Sequence, residues 1–172
     1  MFSPFVAGQD LTASLLTTSI NDAYQIEGLT ADLTVSSTTF QDSSDLTLPL
    51  TTNASYILQS QFVYDSNTTA DIQIRFTTPV GTVVRLAPWG PTTGITGSGA
   101  LTSISATVTD STTTAIIQYG GAGSGTFMMA RPSGAIISVG GAGNLVVGFA
   151  QVSASGSTIL KVGSFVALSR FF

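Results

Sequence analysis

Four aspartates are the side chains of this chain whose chemical type best suits catalysis: Asp42, Asp45, Asp65 and Asp71. A pair of carboxylates can hydrolyse a glycosidic bond, one acting as general acid and the other as base or nucleophile. All four, however, stand in turn-like sequence rich in Ser, Thr and Asn, where aspartate usually forms a turn or a cap. Residues 42–45 also offer oxygens to calcium, but they lack the spacing and acid density of a recognised calcium loop. We therefore expect structural roles for these carboxylates.

The other common catalytic classes lack a required side chain. The 172 residues include no histidine and no cysteine, which removes the usual general base and the thiolate nucleophile. Serines are abundant, but no Gly-x-Ser-x-Gly elbow occurs, and Gly97-Ser98-Gly99 has no histidine to activate its hydroxyl. The single lysine, Lys161, stands in strand-like sequence and is expected on a solvated face. We predict a protein that is not an enzyme, with no catalytic residues, no cofactor and no bound metal.

A glycine motif occurs twice, as Gly120-Gly121-Ala122-Gly123 and as Gly140-Gly141-Ala142-Gly143. Glycine-rich loops can hold a phosphate with their backbone N–H groups, but the lysine and the following helix of such a site are missing here. We expect loops in which the backbone needs a positive φ or approaches another segment closely, for example near a symmetry axis.

Trp89 is the only tryptophan, and it stands in the sequence Pro88-Trp89-Gly90-Pro91, which is followed by further glycines and predicts an irregular loop. Its ring could stack on a sugar or contact a partner. The alternative is a ring that folds back over one end of the domain, and we prefer it because a tryptophan can bury a large apolar area.

Charge is scarce throughout the chain. Charged residues make up 8% of the sequence and apolar residues 43%, with a net charge of −4. The five cations are scattered singly, which argues against binding to nucleic acid. The most apolar stretch, 135–150, is interrupted by Ser138, glycines and Asn144, so we expect no membrane span. Residues 1–16 lack the features of a secretory signal, so synthesis in the cytoplasm is expected.

Alternation of apolar and polar residues predicts β-strands over most of the chain after residue 30. It is clearest in 56–64 and 71–76, and the turn-forming residues 65–69 between them predict a hairpin. Further strands are predicted at 29–35, 46–50, 82–86, 101–108, 115–119, 126–130, 135–139, 145–152, 158–162 and 165–170. Many short strands with regular turns indicate an all-β fold, an antiparallel β-sandwich of jelly-roll type.

The first thirty residues differ from the rest. Thr12 can cap a short helix that carries Leu15, Leu16, Ile20, Ala23 and Tyr24 at helical spacing. This segment either covers one end of the sandwich or forms an arm that attaches the domain to a partner. We therefore divide the chain into an N-terminal arm or attachment segment, 1–30, and a sandwich domain, 31–172.

Several short motifs resemble small virion proteins of tailed bacteriophages, notably those that infect actinobacteria. The first is 5–13, Phe-Val-Ala-Gly-Gln-Asp-Leu-Thr-Ala, which is similar to an F-x-x-G-x-x-L-T-A opening. Others are found at 44–50, 53–56, 77–81 and 161–165. The resemblance spans most of the chain, and its motifs are short.

The resemblance implies a virion component with an attachment arm and a jelly-roll-like domain, often trimeric. Such proteins decorate capsids, form head fibres or act as minor tail proteins, and no catalytic residue is carried over. The expected partners are further copies of the chain and the major capsid protein or tail proteins, on the outer surface of the particle. The residues predicted to contact partners are apolar or aromatic: Phe2, Phe5, Leu11, Leu15, Leu16, Trp89, Phe171 and Phe172.

Capsid decoration is the first function that we predict, because one arm and one compact domain suit a decorating unit better than a fibre shaft, which needs long repeats. The alternative is a minor tail or tail-fibre protein that contacts the host surface. A carbohydrate-binding module is the third.

Overall fold

The structure is a computed structural model, and it describes residues 23–93, 109–112, 114–137 and 139–171. These residues form twelve strands: β1 (Tyr24–Gly28), β2 (Leu33–Val35), β3 (Gln41–Leu50), β4 (Tyr56–Asp65), β5 (Ile72–Thr77), β6 (Val83–Trp89), β7 (Thr109–Thr112), β8 (Thr114–Tyr119), β9 (Phe127–Ile137), β10 (Gly143–Ala150), β11 (Thr158–Leu160) and β12 (Phe165–Arg170). No helix in the described ranges is long and apolar enough to cross a membrane.

The strands form two antiparallel sheets, which confirms the predicted all-β sandwich. The eight-stranded sheet has the order β1-β12-β4-β9-β6-β7, and β11 pairs with both β4 and β2 beside this path. The four-stranded sheet has the order β3-β10-β5-β8. A single cluster of buried apolar side chains, drawn from both sheets, fills the space between them.

The eight consecutive strands from β3 to β10 are paired in a nested order. β3 pairs with β10, β4 with β9, β5 with β8 and β6 with β7. The first strand of the series therefore pairs with the last, the second with the seventh, and so on. Successive nested pairs alternate between the four-stranded and the eight-stranded sheet.

Alternation along the strands explains which side chains enter the core. In β4 the side chains of Tyr56, Leu58, Phe62 and Tyr64 are fully buried, whereas Gln59 points to the exposed side. The same two-residue period places every second residue of β5 in the core. The predictions made from alternation at 56–64 and 71–76 are therefore confirmed.

The predicted hairpin between these two strands is wrong. β4 belongs to the eight-stranded sheet and β5 to the four-stranded sheet, so the turn at 66–71 carries the chain from one sheet to the other. The physical reason is that each strand has one apolar face, and both faces are buried when the strands lie on opposite sides of the core. Turn-forming residues fit either connection, and they do not distinguish the two.

β9 is one continuous strand where the sequence predicted two. Pro132 lies inside it, directly opposite Pro88 of β6. A proline has no N–H group, so neither residue of this pair has a backbone donor that needs an acceptor. The carbonyl of Pro132 accepts a hydrogen bond from the Ser60 hydroxyl of β4. Gly134 lies where a Cβ atom would collide with the carbonyl of Arg85, so the strand requires glycine there.

The predicted arm overlaps the sheet at its end. Residues 24–28 form β1, which pairs with β12 from Tyr24 opposite Ser169 to Gly28 opposite Phe165. Tyr24 is therefore part of a strand and not of the predicted helix. Residues 1–22, where most of that helix was predicted, and the strand predicted at 101–108 lie outside the described residues.

Candidate functional site

The first of the four candidate carboxylates, Asp42, forms a salt bridge on the outer face of the four-stranded sheet. It accepts a hydrogen bond from Nη2 of Arg75 at 2.6 Å. The guanidinium of Arg75 also lies 4.4 Å from the ring centroid of Phe40, within the range of a cation–π contact. Asp42 stands in β3 and not in the turn that the sequence predicted. The pair joins β5 to β3, which is a structural role.

Asp45, also in β3 and not in a turn, is held by Thr30. Its Oδ2 atom accepts hydrogen bonds from the Thr30 hydroxyl at 2.6 Å and from the Thr30 N–H at 2.9 Å. These bonds, the hydroxyl bond first, favour the charged form and lower the pKa of the Asp45 carboxyl below its ordinary value. The contact ties the segment after β1 to β3.

The remaining two aspartates bind backbone N–H groups of glycine loops. Asp65 accepts from the N–H of Gly125 at 2.9 Å, and Asp71 accepts from the N–H of Gly121 at 2.7 Å. Asp71 has a φ of 50°, a left-handed conformation that aspartate adopts more readily than most residues. The four carboxylates thus lie at separate places with separate donors. Across the described residues, no group of three or more Asp, Glu, His or Cys side chains is arranged to hold a metal.

The two glycine motifs pack against other segments of the same chain. A Cβ atom on Gly120 would collide with the Thr92 carbonyl, one on Gly121 with the Ser66 and Asn67 carbonyls, and one on Gly140 with the Val80 carbonyl. Gly123 has a φ of 114°. The prediction of close backbone approach and positive φ is confirmed, and the close neighbours are loops of this chain. Backbone N–H groups of the first motif already bind Pro91, Ser66 and Asp71.

A buried polar network closes the end of the sandwich where the first glycine motif lies. The hydroxyls of Ser66 and Thr158 are 2.8 Å apart, and both residues are fully buried. Gln151, also fully buried, donates to the carbonyls of Ser155 and Gly156 and accepts from the Ser155 N–H. The bonds join the loop after β4 to the start of β11 and hold the loop after β10 in shape, so the network fixes how these segments meet.

Lys161 is engaged and does not simply lie on a solvated face. Its ammonium forms an ion pair with Asp32, and it lies 5.4 Å from the ring centroid of Phe127. Asp32 also accepts from the N–H of Val162 at 2.8 Å. The Lys161 bond is the main cause that lowers the pKa of the Asp32 carboxyl. These contacts stabilise the segment between β11 and β12.

The outer face of the eight-stranded sheet is apolar over much of its described part. It presents small, aliphatic and aromatic side chains, and we call it the apolar face: Tyr24, Ile26, Ile57, Val63, Val83, Ala87, Trp89, Phe127, Met129, Ala135, Phe165 and Ala167. Polar residues lie among them, and two of these are charged: Arg131 of β9, opposite Trp89, and Arg85 of β6, opposite Ala135. The outer face of the four-stranded sheet differs, because it carries mostly Thr and Gln residues besides the Arg75–Asp42 pair.

The strand register shows how the apolar face is organised. Ser169 of β12 lies opposite both Tyr24 of β1 and Ile57 of β4, and Ala167 lies opposite both Ile26 and Gln59. The small side chains of Ala167 and Ser169 thus lie between larger side chains of β1 and β4. Tyr24, Ile57, Gln59, Ala167 and Ser169 line a shallow depression there.

Two of the predicted contact residues lie in the described part of the chain. Trp89 is the last residue of β6, opposite Arg131, and is 44% exposed on the apolar face, so neither the predicted loop nor the preferred packing over one end is correct. Phe171 follows β12, donates its N–H to the Ser55 carbonyl and is 42% exposed. Phe2, Phe5, Leu11, Leu15, Leu16 and Phe172 lie outside the described residues.

Sequence reasoning missed most of the apolar face. One signal was present in β4. Residues 57, 59, 61 and 63 share its outer side, and two of them, Ile57 and Val63, are apolar. A strand with water on its outer side would carry polar residues at all of these positions. The gathering of five strands into one apolar surface depends on long-range pairing, which a local pattern does not specify.

The comparisons with known proteins assign no family. No protein-family model and no curated protein matches the chain. A solved structure of infectious bursal disease virus, Gt strain, aligns with 86% of this chain at 10% sequence identity and a TM-score of 0.22. A structure of the Gx strain aligns with 87% at 12% identity and a TM-score of 0.16. This chain spans 40% of the length of each of these viral chains, and at such TM-scores the likeness carries no argument about function.

Proposed function

We propose that this chain is a non-enzymatic structural protein of a viral particle, with its place on the outer surface of a phage capsid. It acts through repeated contacts with copies of itself, as a homotrimer, and with the major capsid protein. The observation that carries the proposal is the nested pairing of strands β3 to β10.

The nested pairing is the one expected of a jelly roll. A jelly roll is a long antiparallel hairpin of eight strands that is rolled up so that its strand pairs alternate between two sheets. The pairs β3·β10, β4·β9, β5·β8 and β6·β7 follow this order. Viral capsid domains are among the proteins that use this fold. Because one fold can carry many functions, the fold alone does not assign a function, and the chemistry of the surface is also needed.

The surface supports a protein that works by packing. Three of the candidate carboxylates bind backbone donors or Thr30, and the fourth pairs with Arg75. The apolar face, by contrast, has no role inside the described chain. Large exposed apolar surfaces mark sites of association. The resemblance of the sequence motifs to phage virion proteins points in the same direction, with decoration favoured because the sandwich is compact.

The proposal is tested by locating the protein on particles. Gold-labelled protein is added to purified tail-free heads and to isolated tails of the phage whose genome encodes it, and the label is imaged by electron microscopy. We expect labelled heads at a constant ratio of protein to capsid subunit. Label on tails alone would replace decoration with the minor tail function. Label on neither structure, with the native protein also absent from purified virions, would overturn the proposal.

Carbohydrate binding is a second candidate, and the exposure of Trp89 favours it. The Trp89 ring lies beside Arg131, whose guanidinium donates to Gln61 at 2.9 Å, so an aromatic surface is bordered by hydrogen-bonding groups. Sugar-binding sites commonly combine these features. If the protein binds on a glycan array and Trp89→Ala abolishes the binding, this function is supported; an array without hits contradicts it.

A further inference from the structure

We infer that a second copy of this chain covers the apolar face, with the contact centred on β1, β12 and β4. This inference rests on the proposed function, since a shell protein must meet its own copies. It identifies the surface of one such contact, in which two identical faces meet about a two-fold axis, and this contact is separate from the one that forms the proposed homotrimer.

The exposure of three neighbouring side chains is the first observation. Tyr24, Ile26 and Ile57 are 51%, 52% and 47% exposed, and the register places them around the small residues Ala167 and Ser169. Single exposed apolar side chains are common on soluble proteins, but a contiguous group is not. Covering them removes apolar area from water, which favours association.

The size of the face fits the core of an interface. Five strands from β1 to β6, spaced about 4.8 Å apart, and six residue steps along β4 of about 3.3 Å each give a plan area of about 400 Å². A standard interface buries about 800 Å² of each partner, and its fully buried core is apolar and poor in charge. The face therefore supplies about half of one partner's share.

The scarcity of charged side chains on part of the apolar face indicates which partner covers it. Between Ile57 and Val63, the outer positions of β1, β12 and β4 carry no charged side chain of their own, and the guanidinium of Arg131 on β9 reaches their edge, where it donates to Gln61. Two copies of such a surface can meet without opposing like charges, and a charged partner such as nucleic acid finds no complementary group. The exposed amide of Gln59 can both donate and accept a hydrogen bond, so it suits an identical surface as well. A second copy is therefore the partner that this half of the face fits.

The test compares two isoleucines of equal exposure on opposite sheets. Ile57 on the apolar face and Ile116 on the four-stranded sheet are each 47% exposed. The mass of the purified full chain is measured by light scattering and sedimentation over a concentration series. We expect the wild type and Ile116→Asp to form the same oligomer. Ile57→Asp should weaken association at least about 100-fold, because its carboxylate would be buried without a partner.

Ile26→Asp is a second variant on a different strand, and it guards against a local folding defect in β4. Circular dichroism and thermal unfolding of all variants confirm that each is folded. A wild type that stays monomeric at about 100 μM, well above the Kd of ordinary specific complexes, would overturn the inference. So would folded Ile57→Asp and Ile26→Asp proteins with the wild-type mass, or an Ile116→Asp protein that dissociates equally.

The outcome is separable from that of the proposed function. If Ile57→Asp breaks the oligomer but the wild type binds neither heads nor tails and is absent from virions, the interface stands and the virion function fails. If the wild type decorates heads and Ile57→Asp keeps its mass, only the interface is wrong.

Discussion

Phe62 and Phe76 face each other across the interior, with ring centroids 6.0 Å apart and ring planes inclined at 60°. Phe62 belongs to β4 in the eight-stranded sheet and Phe76 to β5 in the four-stranded sheet. Their contact thus joins the two layers directly. A hairpin would instead have placed both rings on the same side of one sheet.

The first prediction concerns this ring pair. We expect Phe62→Leu and Phe76→Leu each to lower the free energy of unfolding by about 1 kcal/mol or more. The double variant should show a coupling of at least about 0.5 kcal/mol, because either single change already removes the ring contact. Urea unfolding of the four proteins measures it.

An exposed residue provides the control for this double-mutant comparison. Val80 is 82% exposed in the turn between β5 and β6, and Val80→Ala combined with Phe62→Leu should be additive. Additivity of Phe62→Leu with Phe76→Leu would show that the rings do not interact energetically.

The positions of many strands could be predicted from the sequence, but their partners could not. Alternation is a local property, so β4, β5 and β12 were found close to their actual bounds. Pairing β4 with β9 joins residues more than sixty positions apart, and no local pattern specifies it. Two strands were predicted at 126–130 and 135–139, but Pro132 and Gly134 lie inside the single strand β9, beside Pro88 and Arg85 of the neighbouring strand.

Because local patterns do not specify strand partners, only part of the candidate site could be predicted from the sequence. Trp89 and Phe171 could be named as candidate contact residues because of their type and place in the chain, although the preferred prediction for the Trp89 ring was packing over one end of the domain. Tyr24 and Ile57 could not be brought together, since β12, which lies between them, is more than a hundred residues away from either. Tyr24 was instead assigned to a helix because its spacing from Ile20 also fits a helical period.

The repeated glycine motif provides a matched pair for the second prediction. Gly121 and Gly141 occupy the same position in their motifs, but a Cβ atom on Gly121 would collide with two carbonyls, whereas one on Gly141 would meet nothing within 4 Å. We expect Gly121→Ala to lower the free energy of unfolding by about 2 kcal/mol, because packed backbone must move. Gly141→Ala should change it by less than about 0.5 kcal/mol. Urea unfolding midpoints measure both, and equal effects would contradict the packing described for residues 120–123.

The third prediction concerns the buried amide of Gln151. Gln151→Ala removes the acceptor of the Ser155 N–H and the donor to the Gly156 carbonyl, which should cost about 2 kcal/mol. Gln118→Ala, on the exposed side of β8, should cost less than about 0.5 kcal/mol. Hydrogen exchange of the Ser155 amide provides a local measurement, and it should accelerate in Gln151→Ala alone. Unchanged protection would mean that the amide does not hold this loop.

The fourth prediction is a pH dependence that arises from Asp45 and Thr30. Because the pKa of the Asp45 carboxyl is lowered in the folded protein, its ionised form stabilises the fold above the ordinary value of 3.8, and this contribution is lost as the pH falls through the lowered pKa. Thr30→Val removes the hydroxyl donor and keeps the shape of the side chain. We expect its Asp45 pKa to rise toward the ordinary value, as measured by NMR titration of the carboxyl carbon.

Unfolding of Thr30→Val as a function of pH tests the same linkage through stability. The variant should be less stable than the wild type near pH 7, and the difference should shrink as the pH falls below 3.8, because a protonated Asp45 loses the charge that the Thr30 hydroxyl stabilises. Thr47→Val is the control, since the Thr47 hydroxyl donates to the Ser43 carbonyl at 2.9 Å, a bond without a titrating partner. Its stability difference should stay constant over that range. If the Thr30→Val difference stays equally constant, the hydroxyl does not act through the charge of Asp45.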